Sequence, residues 1–304
     1  MNMNHPQKIA CLAGSGVGPE LMAEAARVLS RLNELHSLAI DEVHVPFAGE
    51  AMTRFGHPLP LSTRAAYRKA DAILVASPNE PAVEALMADL DLVWRVSRVH
   101  LGDAGEVVVF GAVDSASPRE AVERAFFSAA AKHGRLTAVG SSPAWRRVVD
   151  AEHARWGGML VERRTVGEAL VRLRQAQCDL DVIVTEAELF EPLTDAAAHL
   201  GGSPAGVADA WLAGEGPGLF MPGAPAPEDL AGFGLADPTA MLLTLSLLLA
   251  EGLHRRSAAR TLERAVAAAA TNGTVGTRSV TDAVLALLPE VRTDVEMFEE
   301  IWAA

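Results

Sequence analysis

Three short, mainly apolar runs, Ile9–Ala13, Asp71–Ala76 and Leu180–Val184, each break into a polar or glycine-rich turn. Segments of helical period follow these turns. A strand of four to six residues that is apolar throughout is covered on both faces, and such strands belong to parallel sheets flanked by helices. The runs at 40–45, 107–113, 136–139 and 159–162 extend the same alternation of strand and helix. That rhythm predicts an α/β fold with a largely parallel sheet and right-handed crossovers. Leu21, Ala25, Val28, Leu29 and Leu32 recur at the helical period after the first strand, and Pro19 opens that helix. Half of the 304 residues are hydrophobic but only 5% are aromatic, so the core is built from Ala, Leu and Val. This length suits two domains or one large α/β unit.

The net charge of −13 argues against nucleic acid or an anionic membrane as a partner. Cys11 and Cys178 are too few for a disulfide framework and read as buried thiols in strands. The polar first eight residues lack the apolar core of a signal peptide. The longest apolar run, Ala240–Ala250, contains Thr244 and Ser246 and is too short to span a bilayer. A cytoplasmic protein is the expectation.

Chemistry concentrates just past the third buried run. Glu186, Glu188, Glu191 and Asp195 follow the carboxyl end of a strand, where ligands bind in open α/β sheets. With Pro192 in the first helical turn, Glu191 and Asp195 share one helical face. Such a pair suits Mg²⁺ or Mn²⁺, and it equally suits an acidic helix start that complements the macrodipole. The Gly14–Glu20 turn is not a dinucleotide fingerprint, because Pro19 stands where a third glycine is needed and donates no N–H. Ser117, with Glu120 three residues on, reads as a capping box. The stretch from His199 to Pro227, rich in Gly, Pro and Ala, is expected to be a loop lining a ligand.

Together these stretches resemble the isocitrate/isopropylmalate dehydrogenase family of metal-dependent β-decarboxylating dehydrogenases. Gly14-Ser15-Gly16-Val17-Gly18-Pro19-Glu20 is similar to the family's Gly-Asp-Gly-Ile-Gly-Pro-Glu. Gly56-His57-Pro58-Leu59-Pro60 and Lys69–Leu74 follow its next block, and Asp181–Glu186 its metal-site strand. Gly218-Leu219-Phe220, Asp229–Gly232 and Ala236-Asp237-Pro238 resemble its cofactor loop. Val275-Gly276-Thr277 with Asp282-Ala283-Val284 resembles its C-terminal signature. The resemblance implies a two-domain subunit, with residues 1–100 and 214–304 as the main domain and 101–213 as a smaller domain carrying dimer-interface elements. It implies a homodimer, or a heteromer with a related dehydrogenase, and a small carboxylate ligand. Mg²⁺ or Mn²⁺ would serve as the metal and NAD or NADP as the oxidant of a 2-hydroxy acid.

Position by position, the metal carboxylates of the family fall on Glu191 and Asp195, with Glu162 lent across the dimer. The cofactor positions fall on Gly218, Asp229, Gly232, Asp237 and Asp282. Arg95 and Arg98 stand near the substrate arginines. The proton-moving groups are different: the family tyrosine falls on Ser117, beside Ser115 and Ala116, and the lysine on Ser141. In the cofactor loop, Met221, Ala224 and Asp237 replace Glu, His and Asn, and Pro225 replaces a glycine. Losing one general acid–base group costs about 10²–10⁴-fold. The resemblance therefore implies a homologue that has lost dehydrogenase chemistry and acts as a ligand-binding or regulatory subunit. The alternatives are an active decarboxylating dehydrogenase using His100, His133 or Ser141 as the proton mover, and a lyase or isomerase that needs only the metal.

Overall fold

The computed structural model describes residues 6–101, 105–114, 116–175, 180–200, 206–224, 228–271 and 273–288. Ser115, Cys178 and Pro225 lie outside them. By contacts the chain divides into two units, Met1–Asp91 with Glu215–Ala304, and Leu92–Gly214.

Residues 1–91 supply β1 (Gln7–Leu12), α1 (Gly18–His36), β2 (Ile40–His44), α2 (Ala48–Phe55), α3 (Leu61–Tyr67), β3 (Ala72–Val75) and α4 (Pro81–Ala88). Residues 92–214 begin with β4 (Leu92–His100), β5 (Glu106–Ala112), α5 (Arg119–Ala130), β6 (Arg135–Val139) and α6 (Pro143–His153). They continue with β7 (Leu160–Arg164), α7 (Val166–Leu173), β8 (Val182–Thr185), α8 (Phe190–Leu200) and β9 (Val207–Ala213). The last part returns to the first unit with β10 (Gly218–Pro222), α9 (Thr239–Leu247), α10 (Arg256–Ala270) and α11 (277–288).

In the first unit the strands run β2-β1-β3-β10, and every pairing is parallel. β1 and β3 are central, which is why Ile9–Leu12 and Ala72–Val75 are apolar without alternation and fully buried. Helix α9 is apolar on all sides and buried from Met241 to Leu247, packed between α1, α10 and β10.

In the second unit the order is β9-β4-β5-β8-β6-β7. β4 is antiparallel to both neighbours, and the pairings of β5 with β8, β8 with β6 and β6 with β7 are parallel. The sequence reading put β4 in the main domain, but its partners on both sides belong to this unit. One sheet face packs against α7 and α8 through Val99, Val107, Val109, Ile183, Phe190 and Leu193. The other carries α5, whose Arg124 lies over the Trp94 ring.

Two local expectations are corrected. The stretch 199–227 is not one long loop, because it contains β9 and β10; β9 alternates in burial and pairs with β4, and β10 is buried beside β3. Glycine and alanine in those strands conceal the pattern, and pairing supplies what propensity does not. Ser117 does not build a capping box either: α5 begins one residue later, and Ser117 Oγ accepts the Arg119 N–H at 3.3 Å. The capping box is at Thr165 and Glu168, opening α7.

Candidate functional site

At the carboxyl ends of β6 and β8, Glu186 turns back over the β6 turn. Its two carboxylate oxygens accept the Ser141 N–H at 2.7 Å and the Ser142 N–H at 3.0 Å. Burial alone pushes this carboxyl up, but the Ser142 and Ser141 donors prevail and hold it below its ordinary value. A Cβ at Gly140 would stand 2.9 Å from both the Glu186 side chain and the Trp145 ring, so a larger residue would displace them. Ser142 caps α6 by accepting the Trp145 N–H. The position that the resemblance pairs with a lysine is thus part of a clasp between two strands, and Ser117 is a turn residue ahead of α5.

Helix α8 presents the acidic pair. Phe190 is buried against Gly111 of β5 and sets the helix on the sheet; Glu191 and Asp195 are exposed one turn apart. Arg95 Nη1 donates to Glu191 Oε1 at 2.5 Å, Arg95 Nη2 donates to the Ala187 carbonyl at 3.0 Å, and the guanidinium lies 4.0 Å from the Phe190 ring centroid. Asp195 faces a cavity of about 540 Å³ lined by Leu170, Leu173, Arg174, Pro192, Ala196 and His199.

Asp209 on β9, opposite Ser97 in register, was not among the residues singled out from sequence. Although the residue is partly exposed, its Oδ1 is buried without a hydrogen-bond partner. Burial pushes its carboxyl up to about 7; Glu191 and Asp195 add to the rise, and Ser97 and Arg95 oppose it. An aspartate in an alanine-rich alternation carries no signal of its own, and only the β4–β9 register reveals it.

Arg95 and Arg98 are not brought together. Three apart on one strand, they point to opposite faces. Arg95 meets α8, whereas Arg98 pairs with Glu106 at 3.6 Å on the α5 face. Glu106 also accepts from Lys132 Nζ at 2.7 Å and lies 3.8 Å from His100 Nε2. Burial raises this carboxyl, but Arg98, Lys132 and His100 outweigh it and hold it at about 2. His133 is exposed and pairs with Asp181 at 2.7 Å. The single tyrosine, Tyr67, is buried and donates its hydroxyl to Asp89, which also pairs with Arg64 and Arg68. Of the lysines Lys8, Lys69 and Lys132, the first two belong to the first unit and Lys132 is engaged on the sheet face away from α8.

Glu162 sits on β7, the edge strand of its unit, and its carboxylate accepts from Arg164. Among the described residues it does not join Glu191 and Asp195 in a three-donor cluster. The pair on α8 nevertheless offers oxygen donors of the kind a hard divalent ion takes, and the orphaned Asp209 oxygen lies on the same sheet face. The donors fit such an ion in kind, with Arg95 as a competing cation for Glu191.

In the first unit the Gly14–Glu20 turn, the 76–81 loop and Glu228 line a cavity of about 300 Å³. The turn packs so closely that a Cβ at Gly18 would meet the Ala13 carbonyl oxygen at 1.9 Å. Ser15 N–H is already donated to Glu80 at 2.7 Å and Gly18 N–H to the Ser15 carbonyl. The cavity carries the carboxylates of Glu80 and Glu228 and no lysine or arginine among its described lining residues. A group bound there would meet two carboxylates, and none of the residues assigned to cofactor binding is among those lining residues. Of the residues assigned to cofactor binding, Gly218 is buried in β10 opposite Ala72, and Asp229 lies in a single 3₁₀ turn. Gly232 N–H is donated to Glu20, Asp237 accepts the Thr239 N–H at the start of α9, and Asp282 pairs with Arg27 at 2.5 Å.

Comparison with known proteins places this architecture. The model of the isocitrate/isopropylmalate dehydrogenase family matches residues 8–91 and 108–301, so the chain belongs to that family. Among its relatives are the 3-isopropylmalate dehydrogenases of Synechococcus sp. (strain CC9902), 29% identical over 88% of this chain and 91% of that protein, and of Prochlorococcus marinus (strain MIT 9313), 30% identical over 85% and 89%. A β-decarboxylating dehydrogenase from Thermococcus kodakarensis shares the fold with a TM-score of 0.78 at 21% identity, covering 93% of this chain and 96% of that one. Isocitrate dehydrogenase from Methylococcus capsulatus does so with a TM-score of 0.75 at 22% identity, over 94% and 99%. Among the described residues no helix is long and apolar enough to cross a membrane.

Proposed function

We propose that this family member no longer oxidises a 2-hydroxy acid and serves as a cytoplasmic ligand-binding or regulatory subunit for a small carboxylate. The observation that carries this reading is the commitment of the tyrosine, Lys132 and the two serines to contacts within their own units. Tyr67 is committed to Asp89 and Lys132 to Glu106, while the two serines at the family's tyrosine and lysine positions hold turns. A serine hydroxyl near its ordinary pKa is no general base without an activating neighbour.

A divalent ion, if taken up, would be held by Glu191 and Asp195 with Glu162 offered by a second copy, and it would supply polarisation of a ligand carbonyl. The chain's own contribution is orientation. Arg95 holds Glu191, and α8 fixes both carboxylates on one face.

Steady-state assays with isopropylmalate, isocitrate, malate and tartrate, each with NAD and NADP and with Mn²⁺, should give no reduced nucleotide. A fluorescence titration with NADH should show no saturable binding. Turnover in any arm would establish instead an active decarboxylating dehydrogenase, the reading favoured by the retained acidic pair and by the relatives' activity. Mn²⁺ binding without NADH binding would favour metal-based chemistry on a bound 2-hydroxy or keto acid over the active dehydrogenase.

A further inference from the structure

Cys11 on β1 and Glu42 and His44 on β2 meet on one face of the first unit's sheet. Parallel pairing sets Cys11 opposite His44 and Ile9 opposite Glu42, and the Val45 N–H donated to the Cys11 carbonyl holds the two strands together at this level. Alternation along β2 places Glu42 and His44 on the same side. Sγ, a carboxylate oxygen and an imidazole nitrogen all lie within 4.8 Å of one another, and His44 Nε2 is 3.1 Å from Glu42 Oε2. Among the described residues this is the one group of three His, Cys, Asp or Glu donors so close.

We propose that Cys11, Glu42 and His44 form a binding site for a borderline-soft divalent cation of the Zn²⁺ type, separate from the carboxylates of α8. Thiolate, imidazole and carboxylate are the three ligand classes that Zn²⁺ takes, at about 2.0–2.3 Å each, and a tetrahedral set needs only modest closing of the observed separations. Because the sulfur is soft, the site discriminates against Mg²⁺ and Mn²⁺, which seek oxygen. Burial and the neighbouring Glu42 push the Cys11 thiol up to about 12, so without a cation it is protonated. Binding forms the sulfur–metal bond and releases that proton to solvent. The His44 side chain is 57% exposed at the open edge of the sheet, which leaves room for water as a fourth ligand. The alternative is an ordinary ion pair on an edge strand above a buried thiol.

The discriminating probe is Co²⁺ titrated into the full chain under reducing conditions. We expect a near-ultraviolet thiolate-to-cobalt charge-transfer band that saturates at one equivalent and is displaced by Zn²⁺. The band should vanish in Cys11→Ala and persist in Cys178→Ser and in the Glu191→Gln/Asp195→Asn double variant, whose oxygen ligands cannot produce it. His44→Gln changes an exposed side chain and keeps the fold. It should weaken binding by no less than the about 10–100-fold that changes to outer-shell partners cost. Far-UV circular dichroism checks that each variant is folded. Absence of the band in the parent, its survival in Cys11→Ala, or parental affinity in His44→Gln would each overturn the assignment.

Discussion

At the scale of single residues, charge placement decides what the second unit can do. Glu106 sits among Arg98, Lys132 and His100 with its carboxyl held at about 2. A group whose folded pKa is depressed stabilises the fold above its unfolded value and loses that contribution as the pH falls. The stabilisation from Glu106 is therefore complete above pH 4.5 and disappears as the pH drops towards 2. Glu106→Gln removes the carboxylate that Arg98, Lys132 and His100 face and should cost about 3 kcal/mol at pH 7. In urea titrations the gap between variant and parent should close by pH 2; an equal gap at both pH values would show that the loss is packing and not charge.

Arg95 acts differently. Its ion pair with Glu191 has one partner 65% exposed, so it contributes little to stability. Its chief effect is to occupy the carboxylate. Arg95→Met also removes the bond to the Ala187 carbonyl and should lower the unfolding free energy by about 1–2 kcal/mol, yet raise Mn²⁺ affinity about fivefold, the equivalent of ~1 kcal/mol. Calorimetric titration of Mn²⁺ measures this directly, and unchanged affinity would separate Arg95 from the acidic pair.

At the scale of elements, two strand-to-helix turns carry the site regions, and both are closed by side chains acting on backbone. In the β1–α1 turn Glu80 takes the Ser15 N–H and the chain passes Gly18 with no room for a Cβ. Gly18→Ala must move the Ala13 carbonyl, and a cost of about 3 kcal/mol or more is expected in chemical unfolding. A cost below about 1 kcal/mol would mean that the turn yields easily. In the β6–α6 turn Glu186 does the equivalent work for Ser141 and Ser142. The glycine-rich turn was legible in the sequence; its closure was not, because Glu80 and Glu186 lie 65 and 45 residues from the N–H groups they accept.

At the scale of the whole molecule, the chain leaves and re-enters its first unit, so residues 1–91 and 215–304 share one parallel sheet. If Glu162 is to complete the pair on α8, a second copy must supply it. Analytical ultracentrifugation should then give a dimer at micromolar concentration, while a monomer at all concentrations would leave Glu162 a surface residue of β7 paired with Arg164.

The sequence by itself determined the alternation of buried strand, turn and helix, the acidic pair on one helical face, and the motif order that resembles the dehydrogenase family. These are readable because helix period, strand burial and turn chemistry depend on near neighbours. Only the tertiary structure decided that 199–227 contains two strands, that Arg95 and Arg98 part to opposite sheet faces, and that Asp209 stands near the acidic pair. It alone brought Cys11 beside Glu42 and His44. The pairing of β9 and β10, the position of Asp209 and the Cys11 group depend on strand register, which is set between segments distant in the chain and leaves no mark in the local pattern of either one.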